Sequence, residues 1–263
     1  MLSEFFSPEP TARIEPTDFM HRLLSHRGLE MASFDLQKTV ILPLIPELDA
    51  RLRRTLGSPS PHPHKIQRQT LYNPAHYPFS VIASPMGAPM AAMLLEQLIA
   101  LGARRFIYLG FCGALATTYR IGDGFIPIQA IREEGTSYHY LPSHVAPTAS
   151  PRLNAILRDR ATAHSFTVQQ GNIWTTDAPY RETAQKIERF QKAGIHTVDM
   201  EMAALFAVAH YRNCDVGALL LVSDECYHPT WQPGFGAQRL RHACQVAVDV
   251  CITAATDAAA LEP

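Results

Sequence analysis

This chain lacks the marks of a secreted, membrane-bound or nucleic-acid-binding protein. Its five cysteines, Cys112, Cys214, Cys226, Cys244 and Cys251, are scattered over 263 residues. None forms a Cys-x-x-Cys pair, so neither a structural metal site nor a disulfide framework is implied. Charge of neither sign prevails: 23 Lys and Arg stand against 24 Asp and Glu. No basic block dominates any segment, which argues against nucleic acid as a partner. The longest apolar stretch, residues 86–103, is broken by Glu96 and Gln97, so no membrane-crossing helix and no membrane partner are expected. The first eight residues have no basic region followed by an apolar core, so they do not read as a secretion signal. A soluble cytoplasmic protein is the expectation. There is no internal repeat.

What is present is apolar content, 47% of the chain. That suffices for one large α/β domain with a substantial core. Residues 1–35 show no clear period beyond a short helix at 18–26 and are expected to form an N-terminal extension to a single domain over 36–263. Strands are predicted at 39–43, 79–83, 105–109, 125–131 and 216–222, and helices at 47–56, 89–101, 152–164, 181–192 and 238–260. Residues 58–64, Ser-Pro-Ser-Pro-His-Pro-His, read as a proline-punctuated loop. Alternation of strands and helices at these lengths predicts a mostly parallel sheet covered on both faces.

The most informative feature is a pair of acids, each at the end of an apolar run. One lies in Val198-Asp199-Met200-Glu201, which opens a helix-like stretch; the other in Leu221-Val222-Ser223-Asp224. Charged residues are rarely left at a buried strand end without a partner or ligand, and ligands of open α/β sheets sit beyond such ends. Two other predicted strand ends carry glycine, in Ser84-Pro85-Met86-Gly87 and Gly110-Phe111-Cys112-Gly113, where backbone amides can approach a ligand. Each acid has a plainer explanation. Glu201 in a first helical turn would oppose the helix dipole, and Asp224 could cap whatever follows. The chemical alternative gives Glu201 the adjacent hydroxyls of a sugar and makes Asp224 a general acid. His139 is expected to be a core histidine.

Gly110-Phe111-Cys112-Gly113-Ala114-Leu115, Ile121-Gly122-Asp123 and Glu134-Gly135-Thr136-Ser137-Tyr138-His139-Tyr140 resemble the central block of the nucleoside phosphorylase superfamily. This is the branch with hexameric purine nucleoside phosphorylases, uridine phosphorylases and methylthioadenosine nucleosidases. Val198-Asp199-Met200-Glu201-Met202-Ala203-Ala204 is similar to its ribose-binding block and Val222-Ser223-Asp224 to its purine-side block. The resemblance covers residues 36–255 and implies a three-layer single domain with a central twisted mixed sheet flanked by helices. It implies cleavage of a nucleoside's N-glycosidic bond with phosphate as acceptor, without a cofactor. Glu201 would bind the ribose hydroxyls with Met200 against the sugar. Asp224 would protonate or hydrogen-bond a ring nitrogen of a purine as it leaves. In the segment 174–181, Tyr180 could stack on the base and Arg181 hydrogen-bond it; an ordinary helix start with Asp177 as cap, Pro179 near the first position and Glu182 in the first turn explains it equally well. The resemblance also implies a homodimer or homohexamer whose sites are completed by a neighbour, with His21 and His26 as candidates for that role.

Departures from the family pattern gather where phosphate would bind. The Pro-Gly-Asp-Pro-x-Arg loop is replaced by Pro43-Leu44-Ile45-Pro46-Glu47-Leu48. Tyr108 stands where the phosphorylases have arginine, and Phe111 where they have serine or threonine. The expected phosphate or water region therefore comprises Gly87, Gly110, Phe111, Arg68 and Glu47, with Arg51, Lys65 or Arg68 as replacement cations. Three functions remain open: a phosphorylase with a rearranged phosphate site, a nucleosidase using water with Glu47 as base, and a non-catalytic nucleoside-binding protein.

Overall fold

Five consecutive buried residues, Thr39 to Pro43, make the first strand, and its β-branched, two-sided burial is that of an interior parallel strand. In the computed structural model, which describes residues 5–9, 11–57 and 64–262, the elements follow in chain order. Helices are α1 (Pro16–Ser25), α2 (Pro46–Leu56), α3 (Ala88–Ala100), α4 (Ser137–Tyr140), α5 (Pro151–Ala163), α6 (Ala184–Lys192), α7 (Met202–Arg212) and α8 (Gln238–Ala259). Strands are β1 (Thr39–Pro43), β2 (Lys65–Ile66), β3 (Gln69–Thr70), β4 (Ser80–Val81), β5 (Arg105–Ala114), β6 (Gly124–Glu133), β7 (Val168–Thr176), β8 (Ile195–Asp199), β9 (Asp215–Glu225) and β10 (Gln232–Pro233). Most of the loop predicted at 58–64 lies outside the described residues; His64, which is described, stacks on Phe34.

The main sheet has the order β10-β9-β6-β7-β8-β5-β1-β4, and β5 also pairs with β9. The pairings β5–β9, β9–β6, β6–β7, β7–β8 and β8–β5 close on themselves, so the sheet curls into a ring. It is mixed but mostly parallel: β1–β4, β1–β5, β5–β9, β6–β7 and β7–β8 run parallel, and β5–β8, β6–β9 and β9–β10 antiparallel. One apolar layer holds Phe106, Leu205 and Phe206 beneath α3 and α7. The other holds Leu153, Leu157 and Val248 beneath α5 and α8. A smaller cluster of Trp174, Phe190 and Val198 lies under α6. Helices thus cover both faces of the sheet. Met20, Leu24 and Phe34 are buried in the first of these layers, so part of the 1–35 segment packs into the body of the domain.

Two irregularities position the site. The β5–β9 register pairs Cys112 with Val222 and then Gly113 with Asp224, leaving Ser223 as the extra residue of a bulge. A bulge re-aims the side chains after it. Asp224 is therefore a residue of a kinked strand and not a helix cap. The predicted helix at 181–192 also starts late: Pro179–Arg181 is a separate 3-10 turn, and Thr183 caps α6 by accepting from the Lys186 amide. Glu182 is left between the two.

Candidate active site

A cavity of about 890 Å³ opens where β5, β8 and β9 end and where the 179–192 segment crosses them. Its size suits a ligand of nucleoside dimensions. Glu201 stands on one wall, only 2% exposed. Its carboxylate is fixed by the Gly87 backbone N–H, which donates to Oε1 at 2.7 Å. Gly87 has φ +91 and ψ 143, a conformation open to glycine almost alone. Burial, then the neighbouring Asp199 charge, push the Glu201 carboxyl above its ordinary range, as expected for an acid removed from water beside a like charge.

Asp199 is the residue that the sequence left without a role. Its Oδ2 accepts from the Glu201 and Met202 amides at 2.8 and 2.7 Å, and its Oδ1 from the Thr175 hydroxyl at 2.6 Å. The Ala203 amide donates to the same Thr175 oxygen. Asp199 and Thr175 thus cap α7, whose free amides need acceptors. Glu201 is the N-cap residue by position and makes no capping bond; its carboxylate turns instead to the Gly87 amide and the cavity wall. An acid three residues before a helix start is the one signal that could have identified this cap.

Across the cavity, Asp224 accepts three hydrogen bonds. Ser223 Oγ donates to Oδ1 at 2.6 Å, while Trp231 Nε1 and Cys226 Sγ donate to Oδ2 at 2.8 and 3.2 Å. Gly113 makes the room: a Cβ there would come within 3.0 Å of Cys226 Sγ and 3.3 Å of Asp224 Oδ2. Met200, directly before Glu201 in sequence, is half-buried and lines the same cavity.

Similarity to known proteins decides the family. Residues 42–255 match the model of the phosphorylase superfamily. The chain belongs to the phosphorylase superfamily. It is 30% identical over 213 residues to a uridine phosphorylase of Treponema pallidum, covering 75% of this chain and 80% of that one. It is 30% identical over 145 residues to a guanosine phosphorylase of Halorubrum lacusprofundi, a match spanning 54% of this chain and 59% of that protein. A purine nucleoside phosphorylase of Toxoplasma gondii shares the fold, with a TM-score of 0.78 at 21% identity over 88% of this chain and 94% of the other.

Within this superfamily member the other predicted site residues divide. Tyr180 lines the cavity and is fully exposed. Arg181, in the same turn, is exposed and does not line it. Phe111 and Leu44 line the end where phosphate ligands were sought. The Gly87 amide, read as a donor for an anion, is already engaged by Glu201. Gly110 is buried and accommodates the Tyr108 ring, whose Cε1 would lie 2.6 Å from a Cβ there. Glu47 is on the surface of α2, paired with Arg51 at 2.7 Å, and Arg51 also bonds Gln245. Arg68 and Lys65 are exposed on the β2–β3 hairpin. None of these four lines the cavity. Among the described residues no lysine or arginine lines it at all. His139 is a surface residue stacked on Phe5, not a core histidine.

Tyr108 is the buried counterpart of the missing arginine. Its hydroxyl has no partner of good hydrogen-bond geometry among the described residues. Burial, followed by the Glu201 and Asp199 charges, raises its pKa well above the ordinary phenol value, so it stays a neutral donor. From its sequence context Glu182 is expected only in a first helical turn. The structure puts it on the cavity wall, with its carboxyl pushed up to about 7 by burial and by Asp224.

Proposed function

We propose that this protein cleaves the N-glycosidic bond of a purine nucleoside, with inorganic phosphate as the acceptor, as in the phosphorylases it resembles. One observation carries this assignment: a buried carboxylate held by a backbone amide and a second carboxylate held by three donors line one cavity. Glu201 would accept hydrogen bonds from the ribose 2'- and 3'-hydroxyls, with Met200 against the sugar. Fixing the sugar lets positive charge grow on it as the bond to the base lengthens, in the manner of glycoside cleavage. Asp224 would hold or deliver the proton at a purine ring nitrogen, so that the base leaves neutral. Tyr180 would cover the base. No metal or cofactor enters this chemistry. Location in the cytoplasm and assembly as a homodimer or homohexamer belong to the same proposal.

The lining favours a second acceptor. A phosphate dianion needs several donors and positive charge, whereas Leu44, Ile45 and Phe111 line its expected place. Water needs no cation there, so hydrolysis is the alternative. Purified protein incubated with inosine, adenosine, uridine and methylthioadenosine, with and without phosphate, separates the two. Phosphate-dependent base release supports phosphorolysis. Equal release in phosphate-free buffer supports hydrolysis. Binding of a nucleoside without turnover would leave a non-catalytic binding protein.

A further inference from the structure

We infer that Glu182 is a proton-holding positioning residue for the leaving base, acting through the Cys226 thiol on Asp224. It rests on the cleavage assignment above. The geometry is a short chain of three groups on the cavity wall. Cys226 Sγ lies 3.2 Å from Asp224 Oδ2 and 3.8 Å from Glu182 Oε2. Asp224 and Cys226 share a strand face because they are two residues apart on β9 and just beyond it. The gap left by Gly113 keeps them in contact.

Asp224 needs a source for the proton it passes on. Both its oxygens are engaged as acceptors, from Ser223, Trp231 and Cys226. A purine leaving with the bonding electron pair must gain one proton. Glu182 is the adjacent group that retains a proton close to neutrality. The groups that face Glu182 are Asp224 and Cys226 from β9 and its extension, Lys186 from α6 and Glu133 from β6. Lys186 opposes proton retention, but its ammonium is paired with Glu133 at 2.8 Å. Asp224 and Glu133, both acidic, favour it.

The transfer balances without a co-reactant. The Glu182 proton moves to the Cys226 sulfur as the thiol proton moves to Asp224 Oδ2 and on to the base nitrogen. The N-glycosidic electron pair stays on the base. The thiol is regenerated, Glu182 is left ionised, and solvent reloads it. Cys226 is suited to this because burial, then the Asp224 charge, hold its pKa far above the thiol range, so it never rests as thiolate.

The test is the pH profile of kcat/KM for inosine in the full-length protein and in Glu182→Gln, Cys226→Ala and Cys226→Ser. In the native protein kcat/KM falls above about pH 7, by on the order of tenfold per pH unit. Glu182→Gln and Cys226→Ala flatten the profile and lower its acid plateau with KM little changed, whereas Cys226→Ser, which keeps a donor and acceptor, retains the slope. Infrared titration of the native protein shows a protonated-carboxyl band lost near pH 7 and absent from Glu182→Gln. An active Glu182→Gln or Cys226→Ala protein with the native profile overturns the relay and leaves the cleavage assignment standing. No base release from any nucleoside by the native protein overturns the assignment, and the relay with it.

Discussion

The Gly87 amide and the Glu201 carboxylate, 114 residues apart in sequence, meet in a hydrogen bond of 2.7 Å. The bond ties the loop before α3 to the start of α7 and sets the carboxylate toward the cavity. It depends on a backbone conformation with φ +91. A side chain at this position would meet nothing within 4 Å, so any cost of adding one is conformational.

Gly87→Ala therefore isolates backbone strain from steric clash. The expected loss of stability is about 1–3 kcal/mol, read as a lower Tm. Relaxation of the loop would also withdraw the amide from Glu201, so nucleoside affinity should fall along with the turnover rate. A variant with native Tm and native affinity would mean that the loop adopts this φ without strain.

Glu201→Gln should weaken ribose binding and rate together, because the amide replaces one of the two acceptor oxygens by a donor-only NH2, while the other acceptor is engaged by the Gly87 amide. It should also change how stability depends on pH. Burial and Asp199 raise the folded-state pKa of Glu201 above its unfolded value. Such a group contributes its stability below the unfolded pKa and loses it as pH rises through the folded one. The native Tm should thus fall between about pH 5 and about pH 8, and the Gln variant should fall less. Calorimetry across that range checks the sign.

The strand at 39–43 and the helix at 238–260 were legible because burial there follows a simple pattern. β1 is buried throughout, and α8 buries one long face from Leu240 to Ala258. β7 was not predicted because its first half, Val168 to Asn172, alternates little and stays partly exposed, and its buried residues begin only at Ile173. The two acids were visible as charges at apolar ends, but their partners were not. The Gly87 amide, the Ser223 bulge and Trp231 come from three separate segments, and only the curled sheet brings them to one cavity. Glu182 was read as a first-turn acid because nothing local shows that the helix starts two residues later.

Asp224→Asn should reduce purine cleavage by a factor on the order of 10²–10⁴, the range for a positioned acid, and affect pyrimidine cleavage less. Trp231→Phe keeps the ring and removes the indole N–H that donates to Asp224 at 2.8 Å. A hydrogen bond to a charged group contributes roughly 1.5–3 kcal/mol, so the purine rate should drop by about tenfold or more, below the effect of Asp224→Asn. Steady-state rates for inosine and uridine with both variants check the order. Equal losses on both nucleosides would remove Asp224 from purine selection.

Tyr108→Phe asks what the buried hydroxyl beside Glu201 does. An unsatisfied buried hydroxyl costs about 1–3 kcal/mol, and Tyr108 Oη has no well-formed partner among the described residues. Removing it leaves the ring on Gly110 and the surrounding core unchanged. The expected result in the unliganded protein is a Tm equal to or above the native value, by on the order of 1 kcal/mol of stability. Because the hydroxyl borders the Glu201 carboxylate, its loss should also lift one restraint on that group, and the pH-dependent part of the Tm curve should shift with it. A lower Tm, with no such shift, would mean that the hydroxyl is bonded within the core and that the side chain replaces the family's arginine as a structural link only.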